Sequence, residues 1–256
     1  MVNVFLCLIL VGLCTPGIWL ISKYAASDLF VEKDNTLTKR ALFIVVAAQN
    51  LFIVALCTFA GTYFGPKVGL KDHFLTGLSH GNVIWSDLFH QLWIGTIAGI
   101  VCALIWIVSY YGFIRSRMDR ESVFITEQLR LELGLATRIT SGGITEEIMF
   151  RWGLLTFVMW LISLLTPSRS ASFWIAIVMT GVLFGIAHLP GVIKKGCKAT
   201  PMLIGSAVLG NLWVSLFCGF LLWQYGLIAA IVVHILFHVI WYPWDRATFK
   251  KLSAER

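Results

Sequence analysis

Residues 199–244 contain no Lys, Arg, Asp or Glu. This stretch is much longer than the roughly 20 apolar residues that a helix needs to cross a bilayer. Its only break is the combined polar and glycine segment Gln224-Tyr225-Gly226, so we interpret it as two membrane spans joined by a tight hairpin. Apolar runs of spanning length recur along the chain, at about 4–22, 41–65, 91–114, 144–166, 170–193, 201–223 and 227–244.

The composition excludes a water-soluble globular protein. Hydrophobic residues make up 58% of the 256 residues and charged residues 13%, which is too little charge to cover a soluble domain. We therefore predict an all-α, polytopic membrane bundle of about seven transmembrane helices in a lipid bilayer, with one amphipathic helix at the cytoplasmic interface. The predicted parts are 1–114 for N-terminal transmembrane helices, 115–143 for the cytoplasmic amphipathic segment, 144–245 for the membrane core and 246–256 for a cytoplasmic tail.

Basic residues predict an external N-terminus and a cytoplasmic C-terminus. With seven spans in that orientation, sixteen Lys and Arg fall inside and three outside, in agreement with the positive-inside rule. The outside residues are Lys67, Lys71 and Arg169, and the inside residues are Lys23, Lys33, Lys39, Arg40, Arg115, Arg117, Arg120, Arg130, Arg138, Lys194, Lys195, Lys198, Arg246, Lys250, Lys251 and Arg256. This asymmetry explains the net charge of +7 without a nucleic-acid partner.

Six ionisable residues lie within the apolar runs. They are Glu146, Glu147, Arg151, His188, His234 and His238. A charged group costs roughly 2.5–3.5 kcal/mol at the centre of a transmembrane helix, so such residues usually face a protein interior. In the predicted topology all six lie toward the cytoplasmic side, and random packing residues would have no reason to agree. We therefore predict a buried functional site there.

The first motif contains two carboxylates with different surroundings. Glu147 and Arg151 are four residues apart, share a helix face and can form an ion pair. Glu146 points about 100° away and stays free to accept a proton. Ser141-Gly142-Gly143, just before this motif, is predicted to break the preceding helix, with a new helix beginning near Ile144 or Thr145. A simple ion pair at a helix start is the alternative interpretation of the motif.

Histidines form the other two motifs. His188 follows Gly181 and Gly185 on one small-residue face, where another helix can approach closely. His234 and His238 are four residues apart and can hold one ion or one polar group between them. Taken singly, each motif is also explained by polar packing between helices.

Together the three motifs resemble a known family. The strings EEIMFR from Glu146, GVLFGIAHLP around His188 and GFLLWQYGLIAAIVVH up to His234 are similar to the motifs of the CaaX-processing and bacteriocin-processing (Abi) intramembrane endopeptidase family. The resemblance covers about 140–240. It implies hydrolysis of a peptide bond in a membrane cavity open to the cytoplasm, with a membrane peptide or a lipidated, prenylated CaaX-type protein as substrate.

The resemblance also implies a role for each residue. Glu146 and His188 would activate a water molecule, and His234 and His238 would stabilise the oxyanion. The family often has asparagine at the last of these positions, and His238 departs from that pattern. Because imidazole can donate a hydrogen bond or bind a metal, a zinc site of His188, His234 and His238 stays open, and with it a metalloendopeptidase.

Two other classes of function stay open. A non-enzymatic immunity or regulatory relative would carry the same motifs around an idle site, and loss of its biological effect without loss of peptide cleavage would favour it. A haem or proton-relay protein could also use facing histidines. Haem would give Glu146 and Arg151 no role, so we rank it last.

Overall fold

The computed structural model describes residues 2–31 and 37–255, and within these ranges it contains helices and no β-strand. The all-α prediction is therefore confirmed. Lys33 and Arg256, which contribute to the charge asymmetry, lie outside the described residues. The α-helices are α1 (Val4–Val31), α2 (Lys39–Val68), α3 (His73–Ser79), α4 (Trp85–Ser109), α5 (Arg120–Thr137), α6 (Thr156–Ser163), α7 (Arg169–Ala187), α8 (Leu189–Lys194), α9 (Pro201–Gln224) and α10 (Leu227–Ala254).

Six helical stretches of the described chain are long and apolar enough to cross a membrane, which makes this an integral membrane protein. They are Val4–Phe30, Lys39–Val68, Trp85–Arg117, Arg169–Lys194, Pro201–Gln224 and Leu227–Ala254. The seventh predicted span, 144–166, consists instead of the π-helical segment Glu147–Leu155 followed by the short α6. The predicted number of about seven is therefore approximate.

The predicted helix break at Ser141-Gly142-Gly143 is wrong. The helix breaks at Gly134, whose φ of 75° and ψ of 157° suit glycine alone. Gly142 and Gly143 are buried inside a second π-helical segment, Arg138–Thr145. They allow α10 to approach, because a Cβ added at Gly142 would lie 2.7 Å from His238 Nε2 and one added at Gly143 would lie 2.5 Å from Ile235 Cγ1.

The small-residue face of α7 packs against α9, as its spacing predicts. A Cβ added at Gly185 would lie 2.6 Å from the Cα of Val208, and one added at Gly181 would lie 2.8 Å from Leu212 Cδ1. The two helix backbones are therefore close together along this face. His188 follows directly at the end of α7.

Charged segments that are distant in the sequence meet at one end of the bundle. Salt bridges connect the end of α1, the start of α5, the loop after α8 and the end of α10. They join Lys195 with Asp28, Lys198 with Asp119 at 2.9 Å, and Arg120 with Glu255 at 2.9 Å. Exposed pairs of this kind add little stability. These salt bridges do show, however, that four of the predicted basic segments lie at the same end of the helix bundle.

Candidate active site

A cavity of about 560 Å³ opens between the helices near this charged end. Glu146, His188, His234 and His238 all line it, so the structure brings together four of the six predicted site residues. Tyr24 of α1 is also among its lining residues, so the cavity is not confined to the predicted core at 144–245. The proposed division of the chain into four parts stays a prediction.

Glu147 is fully buried and lies behind the cavity wall. Two side chains contact one of its carboxylate oxygens. Its Oε1 lies 2.7 Å from His234 Nδ1 and 3.3 Å from Arg151 Nη1. The ion pair expected from the four-residue spacing is thus present. Because the carboxylate is tied to both partners, Glu147 holds His234 in place and is not free to act on a molecule in the cavity.

Arg151 extends this buried cluster to two further helices. Its Nη2 donates to Ser215 Oγ of α9 at 3.0 Å, and its guanidinium lies 4.7 Å from the ring centroid of Phe184 on α7. The contact of Nη1 with Glu147 is close enough for ion pairing but is not aligned as a hydrogen bond. The cluster therefore packs four helical segments, the π-helical segment, α7, α9 and α10, around one pair of charges.

The three histidines present different nitrogen atoms for chemistry. His188 Nδ1 lies 2.7 Å from the carbonyl oxygen of Phe184, so Nδ1 donates and Nε2 is left with its lone pair. His234 donates from Nδ1 to Glu147, so its Nε2 carries a proton only when the ring is charged. His238 is the reverse case, because its Nδ1 faces the donor Nε of Arg138 at 3.4 Å, which leaves the proton on Nε2.

Glu146 is the carboxylate that faces the cavity. It is half-buried, directly precedes the π-helical segment Glu147–Leu155 and lines the cavity wall. Within the described residues it has no hydrogen bond or ion pair, in contrast to its neighbour. The two adjacent glutamates therefore differ because they point in different directions. Glu147 is paired within the protein, and Glu146 is available to a molecule in the cavity.

Sequence reasoning missed a charged network behind His238. Asp245 accepts from Arg138 Nη1 at 3.0 Å and from Arg130 Nη2 at 2.8 Å, and Tyr111 donates to it at 2.9 Å. Burial by itself lowers the pKa of Arg130, but the Asp245 carboxylate raises it well above its usual value. A signal existed in the sequence: Asp245 is the first acidic residue after the uncharged stretch and lies seven residues after His238, on the same helix face.

The side chains do not favour a metal site. Among the described residues, Glu147, Cys218 and His234 form a group whose ligand atoms lie within 4.8 Å of one another, but Arg151 already pairs with the carboxylate of Glu147. A cation there would be placed against a guanidinium. The three-histidine set fits no better, because Arg138 faces the Nδ1 of His238.

We predict that Glu147→Gln lowers the stability of the protein. The change leaves Arg151 buried without its counter-charge, and breaking one partner of a buried pair costs roughly 3–5 kcal/mol. Thermal unfolding in detergent micelles measures the effect. Glu146→Gln is the matched control, since the same substitution at the adjacent, unpaired residue should leave the melting temperature near that of the wild type. Equal melting temperatures for both variants would contradict the role of the pair.

Comparison with known families agrees with the motifs. A family model described as type II CAAX prenyl endopeptidase Rce1-like matches residues 130–240, a segment that contains all six predicted site residues. No curated protein and no solved structure matches the chain. The match confirms the family resemblance noted in the sequence and implies a hydrolase that acts as a protease. Residues 130–240 of this membrane protein are thus similar to the Rce1-like type II CAAX prenyl endopeptidase family.

Proposed function

We propose that the protein is an intramembrane endopeptidase that hydrolyses a peptide bond of a membrane-associated or prenylated, CaaX-type substrate. The observation that carries this proposal is the free carboxylate of Glu146 in one cavity with three histidines. A structural ion pair would not leave a half-buried carboxylate without a partner beside polar groups. The family match supports the same class of reaction.

Glu146 is the proposed general base, with His188 beside it. A carboxylate accepts a proton from water as the water oxygen attacks the substrate carbonyl carbon, and such catalysis is typically worth about 100- to 10,000-fold. His188 supplies a second acceptor, because its Nε2 lone pair is not used within the helix. When the C–N bond breaks, the proton held by Glu146 passes to the leaving amine. The hydroxyl of the water becomes part of the product carboxyl group, the Glu146 carboxylate is regenerated, and a new water molecule enters for the next cycle.

His238 and His234 are the proposed donors to the oxyanion. His238 donates from Nε2 as a neutral ring, whereas His234 can donate from Nε2 only when protonated, with Glu147 accepting at Nδ1. Each donor aimed at the developing charge in a water-poor cavity is worth roughly 2.7–4 kcal/mol. The two rings are stacked, with centroids 4.8 Å apart and planes 27° apart, and both residues line the cavity.

The surroundings of the site support a lipidated substrate. The cavity wall consists mainly of aromatic and aliphatic side chains. An apolar chain or lipid can pack against them. Cations of the wall already have carboxylate partners within the protein, Arg130 and Arg138 at Asp245 and Lys195 at Asp28. The apolar wall is consistent with a lipidated protein tail that enters from the bilayer.

We predict that Glu146→Gln reduces peptide cleavage by at least about 100-fold while expression and folding stay normal. The substitution removes the base but keeps the size of the side chain. Cleavage is measured with purified protein in detergent or liposomes, using a prenylated CaaX peptide and an unmodified membrane peptide. The control is Glu132→Gln on the exposed side of α5, which should cleave like the wild type. Wild-type cleavage by Glu146→Gln would overturn the assignment. If the wild type cleaves neither peptide and yet has a biological effect, a non-enzymatic regulator is favoured.

We further propose that the Glu146 carboxylate works without a bound metal. Arg138 faces the Nδ1 of His238, and Arg151 contacts Oε1 of Glu147, so a cation bound by these residues would lie close to a guanidinium group. The expected result is that chelators leave cleavage unchanged and that active protein contains less than stoichiometric zinc. Elemental analysis and activity assays with and without chelator measure both quantities. One zinc per chain, lost together with activity in His238→Asn, would show a metalloendopeptidase instead, since an amide is a poor zinc ligand.

We also propose that the charged end of the bundle, and the cavity with it, faces the cytoplasm. The positive-inside rule supports this orientation. A membrane-impermeant maleimide should label Arg169→Cys on intact cells and Lys250→Cys only after permeabilisation. Background labelling should be low, because each of the six native cysteines is buried or half-buried. The reverse labelling pattern would invert the topology.

A further inference from the structure

His238 is contacted at its inner nitrogen by a buried cation. Arg138 begins the π-helical segment Arg138–Thr145, is only 3% exposed, and directs its Nε at His238 Nδ1 over 3.4 Å. The same guanidinium donates from Nη1 to Asp245 at 3.0 Å. An arginine side chain has donors and no acceptor. The nitrogen of His238 that faces Arg138 must therefore accept, and it cannot carry a proton without two N–H groups opposing each other.

We propose that Arg138 is a positioning residue that holds His238 as a neutral ring with its proton on Nε2, and that Asp245 and Arg130 hold Arg138 in place. The proposal rests on the function proposed above, in which the Nε2–H group of His238 serves as an oxyanion donor. Arg138 lines the cavity next to His238, but this scheme gives it no contact with the reacting atoms. It acts through the ring that it orients.

The network behind Arg138 is well suited to this task. Asp245 is fully buried and binds Arg130 through both guanidinium Nε and Nη2, at distances of 2.8–3.2 Å, while it also accepts from Arg138. Trp241 covers both guanidinium groups, with its ring centroid 4.7 Å from Arg130 Cζ and 5.4 Å from Arg138 Cζ. One carboxylate thus fixes two arginines, and the guanidinium next to His238 cannot rotate away without breaking its salt bridge.

The groups around His238 include both cations and a carboxylate. Arg138 faces its Nδ1 from the π-helical segment, His234 stacks on it within α10, and Glu146 and His188 line the same cavity. The contact with Arg138 is the one that fixes the proton, because a proton on Nδ1 would point at the donor Nε. The result is a donor that keeps its proton in one place as an amide side chain would.

The direct test is nitrogen-15 NMR of histidine-labelled protein in detergent micelles, with the His238 signals identified by their loss in His238→Asn. We expect a protonated Nε2 and an unprotonated Nδ1 in the wild type. Arg138→Met removes the donor but keeps an extended side chain, and should shift the population toward Nδ1–H or a charged ring. Arg115→Met is the matched control, because it removes another arginine with a buried partner, Glu127, and should leave the His238 signals unchanged.

A wild-type His238 with its proton on Nδ1, or signals that Arg138→Met does not move, would overturn the proposal. This measurement needs no substrate, so its result stands apart from that of the peptidase assay. If the protein cleaves no peptide, the proposed function is wrong, but the NMR spectra still test whether Arg138 sets the proton position on His238.

A second measurement connects Arg138 to catalysis through a double-mutant cycle. In the wild-type background Arg138→Met should lower kcat by about tenfold or more with little change in KM, as for directly coupled neighbours. In the His238→Asn background the same change should cost much less, because an amide donates a hydrogen bond without help from a neighbouring cation. Equal losses in both backgrounds would show that Arg138 only stabilises the fold.

Discussion

The arrangement of the site depends on the neutralisation of one buried carboxylate. Glu147 is fully enclosed, and an unpaired charge in such a place would be very unfavourable. Arg151 and His234 both contact its Oε1, and Arg151 is held in turn by Ser215 of α9. Arg151 balances the charge from within the same π-helical segment, and the hydrogen bonds to His234 of α10 and from Arg151 to Ser215 of α9 form only when these elements pack together. The same packing sets the position of Glu146, one residue earlier, relative to the histidines.

Much of this arrangement could be predicted from the sequence, because it follows from local spacing. The four-residue interval between Glu147 and Arg151 predicted their pairing, and the glycine face of α7 predicted close contact with another helix. The uncharged stretch predicted the hairpin of α9 and α10. Counting basic residues also grouped segments that do share one end of the bundle. Each of these inferences uses periodicity or charge alone and needs no knowledge of distant neighbours.

The rest depended on tertiary contacts that spacing does not encode. Glycine permits both a break in a helix and the close approach of another, so Gly134 and Gly142 could not be told apart without knowing where α10 lies. The ion pair of Arg138 with Asp245 joins residues 107 positions apart. From the sequence alone, Arg138 is only one of many positive charges predicted on the cytoplasmic side. Its contact with His238 appears only when the two helical segments are placed side by side.

The π-helical winding of Arg138–Thr145 and Glu147–Leu155 makes the length of this stretch part of the site. A π-turn contains one residue more than an α-turn, and such turns often occur at functional sites. A homologous chain one residue shorter here would close as an ordinary α-helix and rotate everything on its amino-terminal side. The cavity-facing position would then pass from Glu146 to a neighbour. Relatives with the same chemistry should accordingly vary in residue type along this stretch more readily than in residue number.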